Sequence, residues 1–312
     1  MKEKKKTSIN KHSNSKSVIE KTAQRIFMLC AFFGVLAVAS ITVYMIISGA
    51  PALMKVGVGD VLFGHLWKPT GKDPSFGILY VILTSIIGTG LAILIGVPIG
   101  VLTAVFLAEV APKKLASVVR PAIELLAGIP SVIYGLLGLL IINPWMYKIE
   151  LKLFQGSETH QFTGGSNLIG AVIVLAIMIL PTVISISESS IRAIPEYLKP
   201  SSLALGATRI QTIFRVMIPA AKSGIITAIV LGVGRAIGEA MAISLVSGSS
   251  VNAPLPFNSV RFLTTAIVSE MGYATDLHRQ VLFTIGLILF AFIMIINLIL
   301  SKLLKLGGAD HE

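Results

Sequence analysis

Six apolar runs divide this chain, and each is long enough to cross a hydrocarbon layer about 30 Å thick as an α-helix. They extend from Ile26 to Ser48, Gly77 to Leu107, Ala122 to Tyr147, Asn167 to Ile186, Ser223 to Ser247, and Gln280 to Leu304. The pattern predicts an all-α polytopic membrane protein with six transmembrane helices. Charged residues make up only 13% of the chain, against about a quarter in a soluble domain. The second and third runs exceed the usual length of about 20 residues, so tilt, breaks or interfacial ends are expected there.

Lysine and arginine concentrate in loops that stay in the cytoplasm. The N-terminal tail, the 108–121 loop, the 187–222 loop and the C-terminal end together hold eighteen of them. The alternate loops hold seven: Lys55, Lys68, Lys72, Lys148, Lys152, Arg261 and Arg279. Both termini therefore read as cytoplasmic. The same distribution explains the net charge of +11 without nucleic acid. Lys2, Lys4, Lys5 and Lys6 would face the anionic lipid of the inner leaflet. Ala37-Val38-Ala39 after a basic tail resembles a signal-peptide cleavage site, but the apolar run continues to Ile47, so the first span reads as a retained anchor. With one cysteine, Cys30, no intrachain disulfide or cysteine metal cluster can form. The five histidines show no metal-ligand spacing, and neither metal nor cofactor is expected.

Pro98, Pro130, Pro144 and Pro181 fall inside apolar runs, and Pro254 and Pro256 follow the fifth. Backbone groups freed by proline in a bilayer must bond to neighbouring helices or water. The Gly96-x-x-x-Gly100 and Gly234-x-x-x-Gly238 spacings predict close helix approach. Gly234-Arg-Ala-Ile-Gly-Glu239 adds two charges to an otherwise uncharged span. Arg235 lies about 18 Å along the fifth helix at 1.5 Å per residue. A charge near mid-bilayer costs at least about 2.5 kcal/mol and normally faces protein or an aqueous path. Glu239 lies one turn away on the same face and can serve as the counter-ion. A purely structural Arg–Glu brace is the competing reading. Glu124 reads as an interfacial partner of Arg120, and Glu188 and Arg192 as solvated.

The 187–222 loop is ordered by its composition. Pro200-Ser201-Ser202 reads as a helix start, Leu203, Leu205, Ile210, Ile213 and Phe214 supply an apolar side, and Gly206 is a natural stop. This predicts a docking element for a soluble partner, with an amphipathic helix on the membrane surface as the alternative.

Leu203-Ala204-Leu205-Gly206-Ala207-Thr208, with Val216-Met217-Ile218-Pro219 downstream, resembles the EAA loop of ATP-binding-cassette importer permeases. Pro200, Ser201 and Ser202 stand where that family carries its Glu-Ala-Ala triplet. Two further stretches, Glu124–Gly135 and Gly234–Ala242, are similar to phosphate importer permeases of the PstC type; the sister PstA type usually follows the shared Arg-Ala-Ile-Gly-Glu core with Thr-Ala-Pro. The resemblance implies a type I ABC importer (MetI-like) permease bundle. Its parts would be a basic cytoplasmic tail (1–25), a first helix (26–48), a core of five helices (77–304) holding the coupling loop (187–222), and a cytoplasmic tail (305–312). It implies a non-catalytic subunit working with a second, PstA-like permease, a PstB-like ATPase dimer and an extracytoplasmic PstS-like phosphate-binding protein. No nucleotide-binding Gly-x-x-x-x-Gly-Lys-Ser/Thr stretch is present in this chain. Arg235 would meet phosphate in transit, with Glu239 beside it. Gly128, Pro130 and Ser131 would line the path with broken-helix backbone. Leu203, Ala204, Gly206, Ala207 and Pro219 would couple to the ATPase through a Leu203–Phe214 helix.

Other readings stay open on residues alone: a permease for molybdate or tungstate, the sister PstA-type subunit, or an ion-coupled secondary transporter. The last is disfavoured by the absence of a detectable inverted repeat. A membrane enzyme is disfavoured because no catalytic constellation emerges.

Overall fold

The computed structural model describes the backbone of residues 3–308 and the side chains of residues 20–302. Residues 1–2 and 309–312 of the two expected tails lie outside that description. α1 (Glu3–Val56) passes without interruption through Ala37–Ala39. α2 (Val58–Phe63) follows, then a short antiparallel hairpin of β1 (Trp67–Lys68) and β2 (Ser75–Phe76). α3 (Leu79–Val105) continues as a π-helical turn to Val110.

The third run does not form one helix. α4 (Lys113–Gly128) ends at Ile129, whose extended backbone (φ −70°, ψ 129°) is the conformation that a following proline favours. α5 (Ser131–Leu137), a π-helical turn (Gly138–Ile142) and α6 (Asn143–Leu153) together make the span that begins only at Ser131. Pro144 directly follows the π-helical turn, where the widened backbone accommodates a residue with no amide to donate. Pro98 and Pro181, by contrast, are carried inside unbroken helices.

α7 (Leu168–Arg192) is the most buried span and the centre of the bundle. Asn167 caps it by accepting the Gly170 amide at 3.0 Å. α3 lies against it because Gly96 and Gly100 carry no side chain. A Cβ on Gly96 would stand 2.7 Å from Ile179, and one on Gly100 2.8 Å from Val183. The Gly96/Gly100 expectation is met. Gly234 and Gly238 differ: among the described residues, no other element lies within 4 Å of a Cβ built there.

Past α7 come α8 (Leu198–Ala204), α9 (Arg209–Thr212), a π-helical turn and α10 (Ile218–Ala220). The fifth run is also broken. α11 (Lys222–Gly238) stops at Glu239, and α12 (Met241–Val246) begins two residues later. α11 also turns 70° from the Arg209–Ala220 stretch before it. α13 (Leu263–Glu270) and α14 (Asp276–Gly308) complete the chain. Among the described residues, five helices are long and apolar enough to span a bilayer, or six if the bent 209–238 pair is one span. α1 packs mainly along α14, where Tyr44 meets Phe283 edge-on and Thr284 Oγ1 donates to the Gly49 carbonyl at 2.9 Å.

Candidate functional site

The two broken helices meet. A Cβ on Gly135 of α5 would lie 2.7 Å from the Ala242 Cα of α12, so both short segments rest directly on one another. The α4 end is held from inside: Tyr134 Oη donates to the Leu126 carbonyl at 2.7 Å, the same carbonyl that accepts the Ile129 amide closing α4. Arg235 lies in the last turn of α11. Its Nη1 donates to Thr182 Oγ1 on α7 at 3.3 Å. Arg235 and Thr182 are thus in direct contact, while the 128–131 break follows the α4 end that Tyr134 holds. Gly128 and Pro130 are exposed and Ser131 partly so.

Glu239 is not the counter-ion that a continuous helix predicts. Among the described residues, no carboxylate forms an ion pair with Arg235. The helix ends at Gly238, so the one-turn spacing no longer places the two side chains on one face. Buried Glu239 turns forward instead, and its Oε1 accepts the Ala242 amide at 2.8 Å. That bond supplies a partner for one of the orphan donors that open α12. The Glu239 carbonyl accepts Thr264 Oγ1 of α13 at 2.6 Å, which anchors the break. Among the described residues, Thr182 is the one hydrogen-bond partner of Arg235, which carries five donors. A partly exposed guanidinium in a span with no carboxylate beside it calls for water or an anion.

Nearer the α8 end, Arg120 does not pair with Glu124. Its Nε donates to Glu188 Oε1 at 2.5 Å and its Nη2 to the Leu107 carbonyl at 3.2 Å. Arg192 approaches the same Glu188 oxygen at 3.6 Å. Glu188, read from sequence as solvated, is buried, because α4 folds back over α7 and brings Arg120 to it.

The expected Leu203–Phe214 helix is two helices. α8 starts at Leu198, upstream of the predicted Pro200-Ser201-Ser202 start, and stops at Ala204. Gly206 takes φ +85°, a left-handed backbone suited to glycine. Thr208 then opens α9 with a reciprocal cap: its Oγ1 accepts the Gln211 amide and the Gln211 side chain accepts the Thr208 amide. Ser202 and Thr212 join the two helices through their hydroxyls at 3.0 Å. Lys199 ties α8 to Glu109 at 2.5 Å. Leu205 is 90% exposed and Ile210 70%, so the apolar side faces away from the bundle. Ala204 and Pro219 are also exposed, and Ala207 partly so.

Two polar clusters at the opposite end carried no sequence signal, since their spacings match no helical or metal-ligand pattern and Trp67 reaches Glu270 from 203 positions away. Buried Glu270 receives Arg261 Nη1, Trp67 Nε1 at 3.2 Å and His278 Nε2 at 2.7 Å. Fully buried Glu150 holds His160 at 2.9 Å and both the amide and hydroxyl of Thr163. These bonds tie the first hairpin and the 154–163 loop to the bundle. Within the described residues, no group of His, Cys, Asp and Glu could hold a metal.

Residues 96–306 match the family described as the binding-protein-dependent transport system inner membrane component. The chain belongs to this family of membrane permease subunits of ABC importers, a multi-pass, non-catalytic component whose ATPase is a separate subunit. Among relatives, it is 38% identical to the probable ABC transporter permease protein YqgH of Bacillus subtilis, over 91% of each chain. It is 33% identical to the phosphate transport system permease protein PstC of Haemophilus influenzae, over 92% of this chain and 93% of that one. Solved structures share its fold. A chain of the inward-facing MetNI methionine ABC transporter aligns with a TM-score of 0.55 at 20% identity, covering 74% of this chain and 96% of the other. A chain of a bacterial alginate ABC transporter aligns with a TM-score of 0.55 at 18% identity, covering 86% and 93%.

Proposed function

We propose that this chain is one of two permease subunits of an ATP-driven inorganic phosphate importer, and that phosphate passes Arg235. The observation that carries the reading is the guanidinium itself. It sits within a span, bonds to Thr182, and among the described residues has no carboxylate paired with it. A planar, permanently charged fork suits a tetrahedral oxyanion, and attraction is strong where water is scarce. The PstC relatives support phosphate as the cargo. Gly128, Pro130 and Ser131 would contribute backbone to the route, and a second permease would supply its other wall.

In this reading both termini are cytoplasmic, as the lysine and arginine distribution favours, and the membrane is a bacterial inner membrane. The 198–220 segment docks a cytoplasmic ATPase dimer, with Leu203, Ala204, Gly206, Ala207 and Pro219 at the contact. ATPase closure then rocks the bundles around the path. A phosphate-binding protein delivers cargo at the opposite face.

Arg235→Ala should abolish uptake of labelled phosphate while the complex still assembles and hydrolyses ATP. Uptake at the wild-type rate would remove Arg235 from the pathway. Competition by unlabelled molybdate and tungstate in the same assay distinguishes phosphate from other oxyanions.

A further inference from the structure

Polar surface continues below Thr182. α7 runs unbroken to Arg192, and Thr182, Ser185, Ser189 and Arg192 recur at spacings of three and four, so they share one face. That face descends from Arg235 towards the α8 end of the bundle. Ser190 bonds back to the Ile186 carbonyl at 2.7 Å, whereas the hydroxyls of Ser185 and Ser189 make no hydrogen bond within the described residues.

At the lower end, Ser185 and Ser189 open into a cavity of about 200 Å³, lined also by Arg120, Glu124, Glu188 and Arg192. At about 30 Å³ for each water-sized group, this is room for a tetrahedral oxyanion with part of its hydration shell. The two arginines are held differently. Arg120 is bonded to Glu188, but Arg192, with 53% of its side chain exposed, stands 3.6 Å from the same oxygen. That is beyond hydrogen-bond range, so its donors remain available. Glu124 lies exposed on the rim and joins no ion pair among the described residues. Two cations and two carboxylates cancel, which gives a place that receives an anion without trapping it.

We propose that this cavity is a second anion station, which takes phosphate released from Arg235 along the α7 hydroxyls and hands it to the compartment on the α8 side. The proposal rests on the phosphate-import reading. Its ligand chemistry, a phosphate oxyanion, is also that of an anionic lipid headgroup, so the test must separate the two sources.

Ser185→Cys and Ser189→Cys are each made in a Cys30→Ala background and reconstituted as the nucleotide-free transporter complex. One set of vesicles is phosphatidylcholine alone, and a second also contains phosphatidylglycerol. Labelling by a charged methanethiosulfonate reagent is timed with and without inorganic phosphate. The station predicts that phosphate slows labelling several-fold at both positions in pure phosphatidylcholine. Arg192→Gln should remove that protection and Arg192→Lys should restore part of it. Two outcomes would overturn it: no slowing by phosphate in either vesicle, or slowing by phosphatidylglycerol alone, which would make the site a lipid contact. Labelling is read without transport. Wild-type uptake by Arg235→Ala would therefore defeat the parent reading, while unprotected cysteines beside a transport-dead Arg235→Ala would defeat only this one.

Discussion

At the scale of single residues, the central finding is that Arg235 and Glu239 do separate jobs four positions apart. Glu239 caps α12 and receives Thr264, so its acceptor oxygens matter more than its charge. Glu239→Gln keeps an acceptor and should retain assembly and most phosphate uptake. Glu239→Leu removes the cap, worth about 1 kcal/mol, and should lower the thermal midpoint of the purified complex. If Glu239→Gln proved as damaging as Arg235→Ala, the capping role would be wrong and a charge pair restored. Arg235 was visible in the sequence because an arginine among apolar residues is conspicuous. It misplaced Glu239 for a physical reason: no proline or positive-φ glycine marks the end of α11. The break is held by a bond from Thr264, which lies 25 residues further on and is invisible to local spacing.

At the scale of elements, span positions were legible because long apolar stretches permit little else in a bilayer. Span limits were not. Ala122–Gly128 reads as membrane because its residues are apolar, yet it closes an amphipathic helix that buries Ala116 and Ile123 and exposes Val118 and Leu125. The coupling segment shows the opposite balance: glycine chemistry at position 206 was readable, whereas the division into α8 and α9 depends on the Thr208–Gln211 cap. An alanine at Gly206 would have to hold a left-handed backbone at a cost of about 1–2 kcal/mol. Gly206→Ala should therefore weaken retention of the ATPase during purification and reduce uptake in step. Full retention with wild-type uptake would show that this turn is not part of the coupling contact.

At the scale of the whole molecule, the two ends are built on different principles. The α8 end presents exposed apolar side chains and carboxylates shared with partly exposed cations, while at the opposite end Glu270 and Glu150 are almost wholly enclosed. Glu270 joins the β-hairpin, the 249–261 loop, α13 and α14 through Trp67, Arg261 and His278. Removing one member of a buried charge pair costs about 3–5 kcal/mol. Glu270→Ala should accordingly melt well below the wild type in detergent, with Glu270→Gln between them because it still accepts from Trp67. Equal melting of all three would show that the fastening is dispensable. This cluster could not be read from sequence, since its members are spread over more than 200 positions and none stands out by type.

The uncovered glycines of α11 have a consequence for the life of the polypeptide. Gly234, Gly238, Gly128 and Pro130 are exposed, with no other described element over these glycines. A solitary copy would thus show bare peptide groups to lipid, a defect of the kind that membrane proteases survey. Synthesis without its companion subunit would then yield a short-lived orphan, and matched production of the two halves becomes a requirement written into the backbone itself.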